Sequence, residues 1–166
     1  MKLPEGPRLL RRSDSSGGEI NPLEILIDKM KKVLNNPSIP NYHSCYELGI
    51  AEGEYDLPLY NTTGDSKLLR GGPCLSHLSF KIFGGKLHLT AIYRSHDYRL
   101  KVPGNLLGLA RLQKCVATEI GIQTGSLTVH STYAFIEKKD RKKLKDMSFK
   151  IDNILREREF LRDATA

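Results

Sequence analysis

Tryptophan is absent from this chain of 166 residues, aromatic residues make up 7% of it, and cysteine occurs three times, at Cys45, Cys74 and Cys115. Each scarcity excludes something. Three thiols without a CxxC pair form neither an even disulfide framework nor a metal-ligand motif, so reduced thiols and no metal site are expected. No apolar run reaches the roughly eighteen residues of a spanning helix. No apolar signal segment follows Met1, and the chain reads as cytoplasmic and without a membrane partner. The strands also lack the interleaved aromatics on which nucleic-acid bases stack. Internal repeats are missing too.

What is present suits one folded domain, because 39% hydrophobic content in a chain of this length can bury a substantial core. The formal net charge is +7, with basic clusters at Arg8, Arg11 and Arg12 and at Lys138, Lys139, Arg141, Lys142 and Lys143. Such runs are more often solvated faces than nucleic-acid interfaces, so nucleic acid is the lesser reading.

Residues 1–18, with two prolines and Ser15-Ser16-Gly17-Gly18, read as a flexible basic leader, and 19–166 as the single domain. A helix is predicted from Asn21, a capping residue followed by Pro22 and Glu24, with Leu23, Leu26, Ile27 and Met30 on one stripe and an end by Asn36-Pro37. Residues 42–51 and 55–60 read as short strands, and 61–72 as a loop. Beyond Pro103-Gly104, Leu106, Leu109, Leu112, Val116 and Ile120 follow at helical spacing up to Gly121. Residues 126–136 read as a further strand. A charged helix over 140–162 completes the chain, with Leu144, Met147, Ile151, Ile154 and Leu155 on one face.

Pro73-Cys74 is followed by Arg94, Ser95, Asp97 and Asn105 at 20, 21, 23 and 31 residues beyond the cysteine, with Gly84-Gly85 between. If the glycines form a two-residue hairpin turn, Phe83 pairs with Lys86, and the ladder sets Cys74 across from Ser95 and beside Arg94. One face then carries Leu78, Phe80, Ile82, Leu87, Leu89 and Ala91, and the other His77, Ser79, Lys81, His88, Thr90 and Arg94. Arg94 points away from Cys74 in an ideal ladder. A ligand shared by both therefore requires a bulge or kink near the strand end.

These residues, together with Phe80, Gly85-Lys86-Leu87 and Pro103, resemble the core of the thymidylate synthase family and its pyrimidine nucleotide hydroxymethylases. The likeness runs over about residues 19–137 and is densest from 71 to 132. The resemblance implies an α/β (α+β) fold whose mixed sheet, flanked by helices, packs against its twin in a homodimer. It further implies methyl or hydroxymethyl transfer to C5 of a pyrimidine nucleotide in nucleotide biosynthesis, with 5,10-methylenetetrahydrofolate as the donor.

By the same likeness, Cys74 is the catalytic nucleophile. Its thiolate would add to C6 and turn C5 into a carbon able to attack a one-carbon donor. Arg94 and Ser95 would hold the nucleotide phosphate, a role suited to the guanidinium fork. Asn105 would read the base edge through its carboxamide, and Asp97 would lie on the folate side.

The departures from the family pattern are equally specific. Leu75 follows the nucleophile where the family usually has histidine, and a histidine appears only at His77. The family's His-x-Tyr ribose pair would fall within Ala134-Phe135-Ile136-Glu137, where neither residue stands, so His130 and Tyr133 are the candidate substrate-binding replacements. The arginine pair lent by a partner subunit has no counterpart in Asn35-Asn36-Pro37-Ser38-Ile39. The region carrying the family's general-base glutamate, phosphate-loop arginine and folate-pocket tryptophans is not recognisable. Arg8, Arg11 and Arg12 stand as substitutes for the phosphate loop, and Glu47, Glu52, Glu54 and Asp56 for the base. His96 reads either as an active-site acid or as a strand-end surface residue, the second favoured, and Cys45 and Cys115 read as core or half-buried thiols. Two functions stay open: the enzyme itself, or a catalytically reduced nucleotide-binding subunit whose site a second protein completes.

Overall fold

Arg12–Ser13 (β1) lies antiparallel to Glu19–Ile20 (β2), so part of the stretch expected to be a leader is paired. Arg12 also donates to the Gly49 carbonyl, and Leu9 packs against the core. The computed structural model describes residues 9–13, 16–41, 43–50 and 74–163. The expected strand at 55–60, the loop at 61–72, Arg8, Pro73, Glu52, Glu54 and Asp56 fall outside them.

Helix α1 (Pro22–Asn35) starts as its letters predict: Asn21 is extended, its side chain accepts from the Glu24 amide at 3.2 Å, and Pro22 occupies the first turn. Leu23, Leu26 and Met30 are its buried face. A 3-10 turn over His43–Cys45 and a short strand β3 (Glu47–Gly49) replace the single strand expected over 42–51.

Strands β4 (Leu75–Phe83) and β5 (Lys86–Tyr93) form the predicted hairpin. Gly84 and Gly85 have φ of 56° and 70°, the left-handed pair that a two-residue I′ turn demands. Pairing runs as expected from Phe83 opposite Lys86 to His77 opposite Ile92. After a short β6 (His96–Asp97), the chain enters helix α2 (Val102–Glu119) and returns along β7 (Gln123–Ser131), parallel to β5. The sheet order is β3-β4-β5-β7, antiparallel except for the last pair. The strand expected over 126–136 is interrupted, and its second part, β8 (Ala134–Phe135), pairs with β6 instead.

One face of this sheet is covered. Leu48, Leu78, Phe80, Ile82, Leu87, Leu89, Ala91 and Tyr93 form a single buried cluster with the inner faces of α1 and of α2, the latter through Leu109, Val116 and Ala117. The buried Gln113 of α2 sends its amide to the carbonyls of Leu87, Gly125 and Ser126, satisfying backbone where β7 slips register against β5. The other face carries His77, Ser79, Lys81, His88 and Thr90, all half-buried. Helix α3 (Lys138–Asp163) ends the described chain with Met147, Ile151, Ile154 and Leu155 exposed. No helix among the described residues is long and apolar enough to cross a membrane.

Candidate active site

The ladder predicted to place Cys74 across from Ser95 slips by one residue before it gets there. Register shifts between Leu75 and His77, so that Leu75 faces Tyr93 and the Arg94 amide donates to the Cys74 carbonyl at 2.9 Å. Ser76 is the extra residue. Its hydroxyl donates to the Ile92 carbonyl at 2.9 Å and its own carbonyl accepts from Ile50 at 2.8 Å, which supplies the bonds that a bulge removes. The consequence follows from strand alternation: Leu75, 5% exposed, takes the core position beside Tyr93, and Cys74 is expelled from it. Cys74 is exposed and lies in register with Arg94 rather than Ser95. The bulge that a shared ligand requires is therefore present, at the end of the strand where it is needed.

Arg94 and Ser95 are half-buried, and one terminal nitrogen of Arg94 is shielded from solvent. β5 stops at Tyr93 and the chain bends through Arg94 and Ser95. The bend resets the alternation of side chains, and His96 turns inward. It is 1% exposed, which corrects the expectation of a surface residue. Its ring stacks on Tyr93 with centroids 4.0 Å apart and meets the edge of Tyr98. Nδ1 lies 2.8 Å from Ser131 Oγ and Nε2 lies 3.0 Å from Asn105 Nδ2.

Asn105, half-buried in the first turns of α2, is thus held by a residue nine positions before it. The Asp97 carboxylate serves the local backbone. Its Oδ1 accepts from the amides of Arg99 and Leu100 at 3.0 and 3.1 Å, closing the turn that leads into α2. His130 is exposed on β7 opposite Ile92. Tyr133 is 62% exposed, stacks on Phe135, and offers its carbonyl to the His96 amide. Backbone pairing brings Cys74 to Arg94, and side-chain bonding brings His96 to Asn105 and Ser131. The side chains of His130 and Tyr133 stand apart from those bonds, and Cys45 and Cys115 are exposed rather than core or half-buried thiols.

Of the carboxylates that could serve as a base, Glu47 lies in the described residues, and it is already engaged. Its oxygens accept from His77 at 2.6 Å, Ser79 at 2.9 Å and Lys81. Partial burial pushes its pKa up, but the bonds from Lys81, His77 and Ser79 outweigh that and hold it below the usual glutamate value. A carboxylate stabilised in this way is a weak proton acceptor. Arg11, one of the three arginines expected to replace the phosphate loop, faces Glu19 at 3.7 Å on the surface.

A mixed sheet with a parallel crossover on one edge and a bulged hairpin at its centre defines an α/β domain in which an exposed cysteine stands in register with an arginine. A model of the thymidylate synthase family matches residues 58–151, more than half of the chain, and the chain belongs to that family. Similar proteins bear the name "Putative thymidylate synthase": one from Methanosarcina barkeri is 44% identical over 64 residues, and one from Methanothermobacter thermautotrophicus is 46% identical over 65. Each alignment covers 39% of this chain and spans 30% and 29% of the respective relative. Thermostable thymidylate synthase A from Bacillus subtilis shares the fold with a TM-score of 0.55 and 23% identity, over 81% of this chain and 42% of that one.

Proposed function

We propose that this chain activates C5 of a pyrimidine nucleotide for transfer of a methyl or hydroxymethyl group, through a bond between the Cys74 sulfur and C6. The observation that carries the reading is the bulge at Ser76, which sets an exposed cysteine in register with Arg94. In the step proposed, the thiolate adds to C6 and the C5–C6 π pair moves into an enolate spread over C5 and the C4 carbonyl. C5 then takes an electrophile and gives up its hydrogen as a proton, and expulsion of the thiolate restores the double bond. Arg94 and Ser95 hold the phosphate and so fix C6 against the sulfur. Asn105 reads the base edge, and His130 and Tyr133 contribute to the nucleotide site from β7 and the turn after it.

A folate such as 5,10-methylenetetrahydrofolate would supply the one-carbon electrophile at the methylene level, which addition of water would convert to hydroxymethyl and a hydride given up by the tetrahydrofolate, itself oxidised to dihydrofolate, would reduce to methyl. Asp97, which the family likeness sets on the folate side, accepts the Arg99 and Leu100 amides on Oδ1 and would meet that donor through its other carboxylate oxygen. The proposal extends to a cytoplasmic homodimer packed through the face of the sheet opposite α1 and α2.

A second reading is favoured by one observation. Glu47 is held ionised by three donors, which leaves the general base to come from elsewhere. Under that reading the chain is a nucleotide-binding subunit whose active site a second protein completes. Tritium release from C5-labelled dUMP, dCMP, UMP and CMP, with and without the folate donor, decides between them. Release that falls to background in Cys74→Ser is the expected result, and nucleotide binding without any release contradicts it.

A further inference from the structure

We propose that His96 is the positioning residue that fixes the Asn105 carboxamide and, through it, the pyrimidine edge the site accepts. The inference rests on Asn105 being the base contact in the function proposed above. His96 is 1% exposed, and its ring plane is set by the 4.0 Å stack on Tyr93, only 7° from parallel, and by the edge contact with Tyr98. A ring so held presents its two nitrogens in fixed directions. A neutral imidazole has one donor and one acceptor nitrogen. In the tautomer proposed here Nδ1 carries the proton and donates to Ser131 Oγ at 2.8 Å, and the bare Nε2 accepts from Asn105 Nδ2 at 3.0 Å. Ser131 Oγ also lies 3.4 Å from the Tyr98 hydroxyl, a second donor toward the same oxygen.

The consequence concerns the amide. A carboxamide presents a carbonyl on one side and an NH2 on the other, and a half-turn exchanges them. With the proton on Nδ1, that half-turn in Asn105 would set Oδ1 against the lone pair of Nε2, an acceptor facing an acceptor, so the ring tautomer and the amide orientation are fixed together. In this tautomer the amide is locked in one orientation, with Oδ1 and one remaining N–H left for a ligand. Uracil offers a donor at N3 and an acceptor at C4, whereas cytosine offers the reverse. A freely turning amide can serve either, but a locked one matches one edge and opposes the other at two positions. Each mismatched pair in a shielded site costs affinity because both groups lose water without gaining a partner.

Calorimetric titration of the whole chain with uracil and cytosine nucleotides tests this. The wild type is expected to prefer one base by about tenfold or more. In His96→Phe, which keeps the aromatic stack and removes both ring bonds, the preference is expected to fall to within about threefold while binding persists. Ser131→Ala withdraws the acceptor from Nδ1 at a partly exposed strand end, and it is expected to reduce the preference in the same direction, so the test stands if His96→Phe does not fold. Nitrogen NMR of the wild type should show His96 protonated on Nδ1 and bare on Nε2. A preference unchanged in both variants, or the opposite tautomer, overturns the inference while leaving the proposed function intact. Wild-type chain that binds no pyrimidine nucleotide overturns the proposed function and this inference with it.

Discussion

At the scale of single residues, the bonds that shape the site are made by side chains whose neighbours leave them little freedom. Ser76 replaces a lost ladder bond with its own hydroxyl. Gly125 shows the same constraint in β7. A Cβ there would come within 2.6 Å of the His88 ring, which cannot simply swing aside. Nδ1 of that ring accepts from the Ser126 amide and meets its hydroxyl, and Nε2 reaches the Phe83 carbonyl. Gly125→Ala should therefore destabilise the chain by about 1–3 kcal/mol in urea unfolding, the range for overpacking a fitted site. His88→Ala in the same background should recover most of the loss. A stability within error of wild type for Gly125→Ala would show that the close approach of ring and backbone is not maintained.

At the scale of elements, legibility divides between short-range and long-range causes. The Gly84-Gly85 turn, the register beside it, and the Asn21-Pro22 start of α1 are readable because each is decided within a few residues by dihedral preference or capping. So are the apolar stripes of α1 and α2. The place of the bulge is not readable, although the need for one is. Its position depends on Ile50, which donates to Ser76 from another strand's end, a contact no local pattern encodes. His96 escapes the pattern for a related reason. Strand alternation carried past Tyr93 predicts an outward side chain, but the bend at Arg94 and Ser95 interrupts the count, and pairing of His96–Asp97 with β8 turns the ring inward. Asp97 reads as a folate-side residue through the family likeness alone. Its Asx-type bonds to Arg99 and Leu100, both made by Oδ1, close a turn as well, a role that the likeness does not reveal. Residue type alone makes Cys45 and Cys115 core or half-buried thiols, and both are exposed.

At the scale of the whole molecule, the sheet has, among the described residues, a packed side and an open side. The packed side holds the hydrocarbon cluster against α1 and α2. The open side holds the ionic group around Glu47, with His77, Ser79 and Lys81, and the half-buried His88 and Thr90. Burial of that face against a second copy is the arrangement proposed for the homodimer. Sedimentation velocity of the whole chain should return a dimer that Thr90→Arg, at the middle of β5, converts to monomer. A wild-type chain that sediments as a monomer throughout would rule out the dimer.

Above all, the bulge at Ser76 is held to deliver the Cys74 sulfur to a nucleotide gripped by Arg94 and Ser95. All three thiols are exposed, so each can be alkylated and its rate followed by mass spectrometry of the same sample. A saturating pyrimidine nucleotide is predicted to slow alkylation of Cys74 by about tenfold or more, as expected when a ligand covers the reacting atom, while Cys45 and Cys115 react at unchanged rates. Equal rates at Cys74 with and without the nucleotide would contradict that delivery.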